Sequence, residues 1–112
     1  MTIYIFDGSF EGLLSSIFEF YDRKPGRVQL VWQKYYVPGL MQDTLEIVTD
    51  EARAKRVWAG LQKKLSPEWQ KRFYWAYLSE NPKTFQDLFG FACYIFDNTQ
   101  GAYSNFGNAY VM

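Results

Sequence analysis

The chain has 112 residues, with twelve Lys and Arg against twelve Asp and Glu, one Cys and no His. Zero net charge excludes a long-range pull on nucleic acid or anionic membrane, so any such contact needs a local patch. The missing His excludes Ser-His-Asp, Cys-His and histidine–zinc chemistry within these residues, and a lone Cys93 excludes an internal disulfide or a cysteine zinc site.

The length suits one domain, spanning residues 1–112, with one modest core. Ten Phe, nine Tyr and four Trp supply more ring surface than such a core easily hides, so some rings are expected near the surface. No apolar run reaches the roughly 18 residues of a membrane span, and no signal peptide is visible. A reducing cytoplasm is the expected location, with no membrane partner.

Thr2 to Phe6 reads as a strand rich in β-branched and aromatic residues. A helix follows from Phe10 to Arg23, its buried face formed by Phe10, Leu13, Leu14, Ile17, Phe18 and Tyr21, with Phe20 off that face. Lys24-Pro25-Gly26 ends it. Arg27 to Trp32 reads as a second strand, and Gln33 to Asp43 as an irregular connection with a turn at Pro38-Gly39. Thr44 to Val48 alternates as a third strand. The second and third strands are expected to pair antiparallel, with the place of the first left open.

Thr49-Asp50-Glu51 starts a helix that runs to about Leu65, with Ala54, Val57, Trp58, Leu61 and Leu65 as its apolar stripe. Ser66-Pro67 opens the next helix, carrying Trp69, Phe73, Ala76 and Tyr77, and Asn81-Pro82 is read as its stop. Thr84 to Asp87 resembles a capping box for a fourth helix that buries Phe85, Leu88, Phe89, Ala92 and Phe96. Cys93 falls on this apolar helix as a small core residue. Past Asp97 the pattern breaks among Asn and Gly, with Tyr103, Phe106 and Tyr110 spaced through it. The expected fold is α+β and mainly helical: about four helices packed with a two- to three-stranded sheet.

Asp7-Gly8-Ser9, between the first strand and helix, allows three readings. As a phosphate cradle it is disfavoured by Asp7 and Glu11, which repel anions, and by the lack of any glycine-rich phosphate motif. As a catalytic or magnesium corner, Asp7 and Glu11 have no third ligand that spacing can name. The residues favour a helix cap, with Asp7 or Ser9 as acceptor and Gly8 in the tight turn.

On a helical wheel Arg53, Arg56, Lys63 and Lys64 share one side, with Gly60 inside it as a bare point of approach. Lys71 and Arg72 extend the set onto the next helix, where Tyr74 and Trp75 offer rings for stacking. These six cations are the candidate nucleic-acid-binding residues. Such a stripe also serves as an ordinary solvated face, partly neutralised by Glu68 and Glu80. No catalytic residue, metal ligand or cofactor site is assigned.

Tyr4-Ile5-Phe6-Asp7-Gly8-Ser9-Phe10-Glu11-Gly12-Leu13-Leu14 resembles the opening of a bacterial family of DNA-metabolism proteins. Val48-Thr49-Asp50, Arg56-Val57-Trp58-Ala59-Gly60-Leu61 and Leu78-Ser79-Glu80 agree with it in order and approximate spacing. The resemblance implies a neighbourhood: such proteins accompany a radical-SAM protein similar to spore photoproduct lyase, and a similar domain is fused to uracil-DNA-glycosylase-like domains. It also implies that the chain is the N-terminal part of a longer protein. Three functions stay open: a DNA-repair-associated accessory domain that contacts DNA or a radical-SAM or glycosylase-like repair protein, a protein-interaction domain without nucleic acid, or part of an enzyme completed by residues beyond 112.

Overall fold

The computed structural model describes residues 2–24, 26–38 and 43–97. In chain order the elements are β1 (Thr2–Phe6), α1 (Phe10–Arg23), β2 (Val28–Trp32), a 3-10 turn (Gln33–Tyr35), β3 (Asp43–Glu46), α2 (Glu51–Lys64), α3 (Pro67–Leu78) and α4 (Pro82–Asp97). The fold is α+β and mainly helical, as the periodicity predicts. The aromatic tail beyond Asp97 and the turn at Gly39 lie outside the described residues.

The sheet corrects one expectation. β2 and β3 do not pair with each other; β1 is central, in the order β2-β1-β3, and both pairings are parallel. Parallel neighbours need a crossover connection, which α1 supplies between β1 and β2. β1 is accordingly the most buried strand, whereas at the edges β2 is mixed and β3 mostly exposed.

Tyr4 and Phe6 project from the same face of β1 and meet α4 edge-on: Tyr4 reaches Phe89 at 6.4 Å and Phe6 reaches Phe85 at 5.4 Å between ring centroids. Leu30 and Leu45 flank Tyr4 in register, and Trp32 flanks Phe6. The core lies between this face and the helices, joined by Leu13, Ile17, Val57, Leu61, Phe73 and Ile95. Ile3 and Ile5 point the other way; they are buried but outside this cluster.

α1 is packed on two sides, which accounts for Phe20. Its main contact is with α2, and Phe20 on the other flank packs against Phe89 of α4 at 5.6 Å. Ser15 and Ser16 are buried; Ser16 Oγ donates to the Gly12 carbonyl at 2.8 Å, and Ser15 Oγ accepts from the Asp50 N–H at 3.0 Å. Pro82 opens α4 instead of only stopping α3. It occupies the first turn, where its missing N–H costs nothing, and Asn81 Oδ1 accepts from the Lys83 N–H at 2.9 Å. The Thr84 capping box is therefore not the helix start. Phe96 is half-buried, while Phe91 and Ile95 are buried in full. Among the described residues, no helix is long and apolar enough to cross a membrane.

One side chain closes the outer edge of β2. Gln86 Oε1 accepts from the Leu30 N–H at 2.6 Å, and its Nε2 donates to the Val28 carbonyl at 3.4 Å. The amide of α4 thus stands in for a neighbouring strand and pins the helix to the sheet. Gln86→Leu keeps the bulk and removes both bonds. It is expected to cost about 1–3 kcal/mol in urea denaturation, because partly buried backbone groups are left unpaired, and to speed hydrogen exchange at the Leu30 amide. A loss below about 0.5 kcal/mol, within the range of a plain surface change, would contradict this role.

Candidate functional site

Because the strands are parallel, β1 and β3 finish at the same end of the sheet, and α1 and α2 both begin there. Asp7, just past β1, ties these ends together. Its Oδ1 accepts from the Ser9 N–H at 2.9 Å and the Ser9 hydroxyl at 2.6 Å, and its Oδ2 accepts from the Thr49 hydroxyl at 2.8 Å. Ser9 in turn caps α1, its Oγ accepting from the Gly12 N–H at 2.9 Å. Asp50 caps α2 by accepting from Ala52 and Arg53 N–H groups at 2.9 and 3.1 Å. The cap reading of the Asp7-Gly8-Ser9 corner is the one the geometry shows.

Two glycines permit the corner. Gly8 has φ +86°, and a Cβ there would land in the Trp32 indole. A Cβ on Gly12 would land on Asp7 Oδ1. Tyr77 then fastens α3 to the turn, its hydroxyl donating to the Gly8 carbonyl at 2.8 Å. Partial burial opposes ionisation of Asp7, but the bonds from Ser9 and Thr49 outweigh it, and its pKa lies below the ordinary carboxylate value. An ionised Asp7 already fills this end of α1, so the corner is unsuited to a phosphate. Among the described residues, no group of three Asp, Glu, His or Cys side chains is placed to hold a metal.

The six candidate cations divide into two sets. Arg53 is engaged: its Nη1 lies 2.8 Å from Glu19 Oε1 and its Nε 3.8 Å from Asp50 Oδ2, while its guanidinium stands 4.9 Å from the Phe18 ring. Arg56 lies over the same ring at 5.7 Å. Arg72 pairs with Glu68 at 2.8 Å and covers Trp69 at 5.1 Å. Lys63, Lys64 and Lys71 have no ion pair among the described residues; Lys63 and Lys71 are exposed and Lys64 half-buried. Gly60 is not a bare point of approach. A Cβ there would stand 2.9 Å from Phe96 Cε1, so its small size serves the packing of α2 on α4.

Among the described residues the large exposed hydrophobics are Tyr35, Val37 and Val48, outside the α-helices, and three that share α3. Tyr74, Trp75 and Leu78 are 42%, 64% and 52% exposed, on one side of the helix by their spacing. Tyr74 continues inward to Phe10, ring centroids 5.0 Å apart, and Phe10 to Trp58 at 5.2 Å. Burial first, then Glu11, Tyr74, Glu80 and Asp7, hold the Tyr77 hydroxyl above its ordinary pKa. Sequence pattern alone shows the Tyr74 and Trp75 rings but not the continuity with Phe10, since that contact spans two helices.

Cys93 is half-buried, and burial with the nearby Asp97 charge pushes its thiol up to about 12. The Tyr21 hydroxyl lies beside it, 2.8 Å from the Cys93 carbonyl and 3.0 Å from Asp97 Oδ1. A protonated thiol of this kind is a packing group, not a nucleophile. The buried Tyr4 hydroxyl has no hydrogen-bond partner among the described residues.

No family model, curated protein or solved structure matches the chain.

Two outcomes are expected. The unfolded chain takes up the Asp7 proton at a higher pH than the folded one, so this group's stabilisation is present above the unfolded carboxylate pKa of about 3.9 and fades as pH falls through the lower folded value. Urea midpoints between about pH 3 and 6 should therefore rise less steeply for Asp7→Asn than for the wild type; equal slopes would contradict it. Separately, Cys93 should react with a disulfide reagent at about pH 8 at least 100-fold more slowly than in the urea-unfolded chain. Comparable rates would contradict its placement.

Proposed function

We propose that the chain is an accessory domain of DNA metabolism that works chiefly by docking to a protein, a radical-SAM or DNA-glycosylase-like repair protein being the expected class. The connection to DNA metabolism rests on the resemblance carried by Tyr4 to Leu14 and the three later stretches. The docking role rests on one observation: the exposed Tyr74, Trp75 and Leu78 side of α3, rigidly backed by Phe10 and Tyr77. Two aromatic rings and a leucine presented together are the composition of an interface centre, and they lie on a helix, not on a loop.

A second reading, direct contact with nucleic acid, is favoured by Lys63, Lys64 and Lys71 and by the exposed Trp75 ring. Arg53 contributes less to it, since it is held by the largely buried Glu19 at 2.8 Å, whereas the exposed Arg72–Glu68 pair is weak enough to yield to a phosphate.

One pair of measurements separates the readings. A photo-cross-linking residue in place of Trp75 should trap a repair protein in cells, while the same residue in place of Asp22 should not. Anisotropy with labelled single- and double-stranded DNA should show no tight binding at low salt. Binding that weakens steeply with salt and falls in Lys63→Gln/Lys64→Gln/Lys71→Gln would favour the nucleic-acid reading and overturn docking as the main role.

A further inference from the structure

Beyond the α3 stripe there is a groove between the first turns of α1 and α2, with a volume of about 360 Å³. Its walls are Phe10 and Leu14 from α1 and Ala54 and Trp58 from α2. The charged groups that line it are Glu11, Glu51 and Lys55. The parallel sheet is the cause: it sets α1 and α2 side by side with both N-termini at one end, and acidic residues favour the first turn of each helix. Carboxylates therefore gather around an apolar slot. Tyr74 meets Phe10, so the slot runs into the exposed side of α3.

This surface has a definite complement. The volume takes one or two large apolar side chains, and the excess of carboxylate over ammonium at its rim favours a cation and disfavours a phosphate. Two neighbouring helices with a groove between them accept a third helix through anchors spaced one turn apart. We infer that the α1–α2 groove docks a basic amphipathic helix of a partner protein, whose apolar side chains enter between Leu14, Ala54 and Trp58 while its Lys and Arg residues face Glu11 and Glu51. The inference rests on the docking role proposed above and names the chemistry of the partner.

Zero net charge makes the test clean, because a preference for a cationic peptide cannot come from the protein's total charge. Two labelled helical peptides of about 14 residues, roughly four turns, share one Leu and Phe face; one carries Lys and Arg on its polar face and its twin carries Glu. At low salt the basic peptide should bind the wild-type chain at least about tenfold more tightly than the acidic twin. Glu11→Gln/Glu51→Gln should abolish the preference, and Asp22→Asn/Glu46→Gln, with the same change in net charge, should keep it. Lys55→Gln, a lone exposed change on the same rim, should strengthen the basic peptide by about two- to threefold, and it decides the matter if the double variant does not fold. Equal affinity for the twins, no binding of the basic peptide, a preference that survives Glu11→Gln/Glu51→Gln, or no gain in Lys55→Gln would each overturn the inference. Failure here with a retained cross-link from position 75 would reject the groove and leave docking through α3 standing; loss of both would reject the docking role itself.

Discussion

The carboxylate of Asp7 is the constraint on which the architecture turns. A central parallel strand puts the ends of β1 and β3 together, and the loops leaving them must start two helices in the same small space. Asp7 meets both demands with three accepted hydrogen bonds, two from Ser9 on its own loop and one from Thr49, 42 residues away. Gly12 yields the room for it, Gly8 makes the turn beside Trp32, and Tyr77 brings α3 to the same turn. The parallel sheet sets the helix N-termini and the groove between them at one end, and the bonds of Asp7 and Tyr77 fasten the turns there.

Much of the chain was legible locally. The 3.6-residue period located α1 to α4, and Ser9 and Ser66 behave as the caps their positions suggest; Asp50, read as a first-turn charge, proves to be the cap of α2. Strand pairing was not legible, because alternation states which residues share a face and says nothing of the neighbour or its direction. The short span between the second and third strands looked like a hairpin connection, yet it carries the chain past β1 to the opposite edge. Asn81-Pro82 illustrates a different ambiguity: a proline that cannot continue one helix is equally suited to open the next, and here it does so. Phe20 looked misplaced only because a single buried face was assumed for a helix that is packed on two sides.

The candidate surface was legible in part for a similar reason. A helical wheel places Arg53 beside Arg56 correctly, but the carboxylate that engages Arg53 belongs to Glu19 on another helix. Likewise Gly60, an apparent gap in a charged face, is a packing contact with Phe96. Some charges that look free on one element are engaged by a neighbour; of the six candidate cations, Arg56, Lys63, Lys64 and Lys71 have no ion pair among the described residues. Lys71 shares α3 with the exposed Tyr74 and Trp75 rings, while Glu11 and Glu51 line the α1–α2 groove, and the total charge is zero. A protein built in this way selects partners by local complementarity.

The central claim is energetic and can be measured without knowing any partner. A double-mutant cycle of Asp7→Ala and Thr49→Val in urea denaturation reports the coupling between the two strand ends. A coupling of about 1 kcal/mol or more is expected, since the pair shares a charge-assisted hydrogen bond. Additivity within about 0.3 kcal/mol would contradict it, and would mean that α1 and α2 are held side by side by their apolar seam alone.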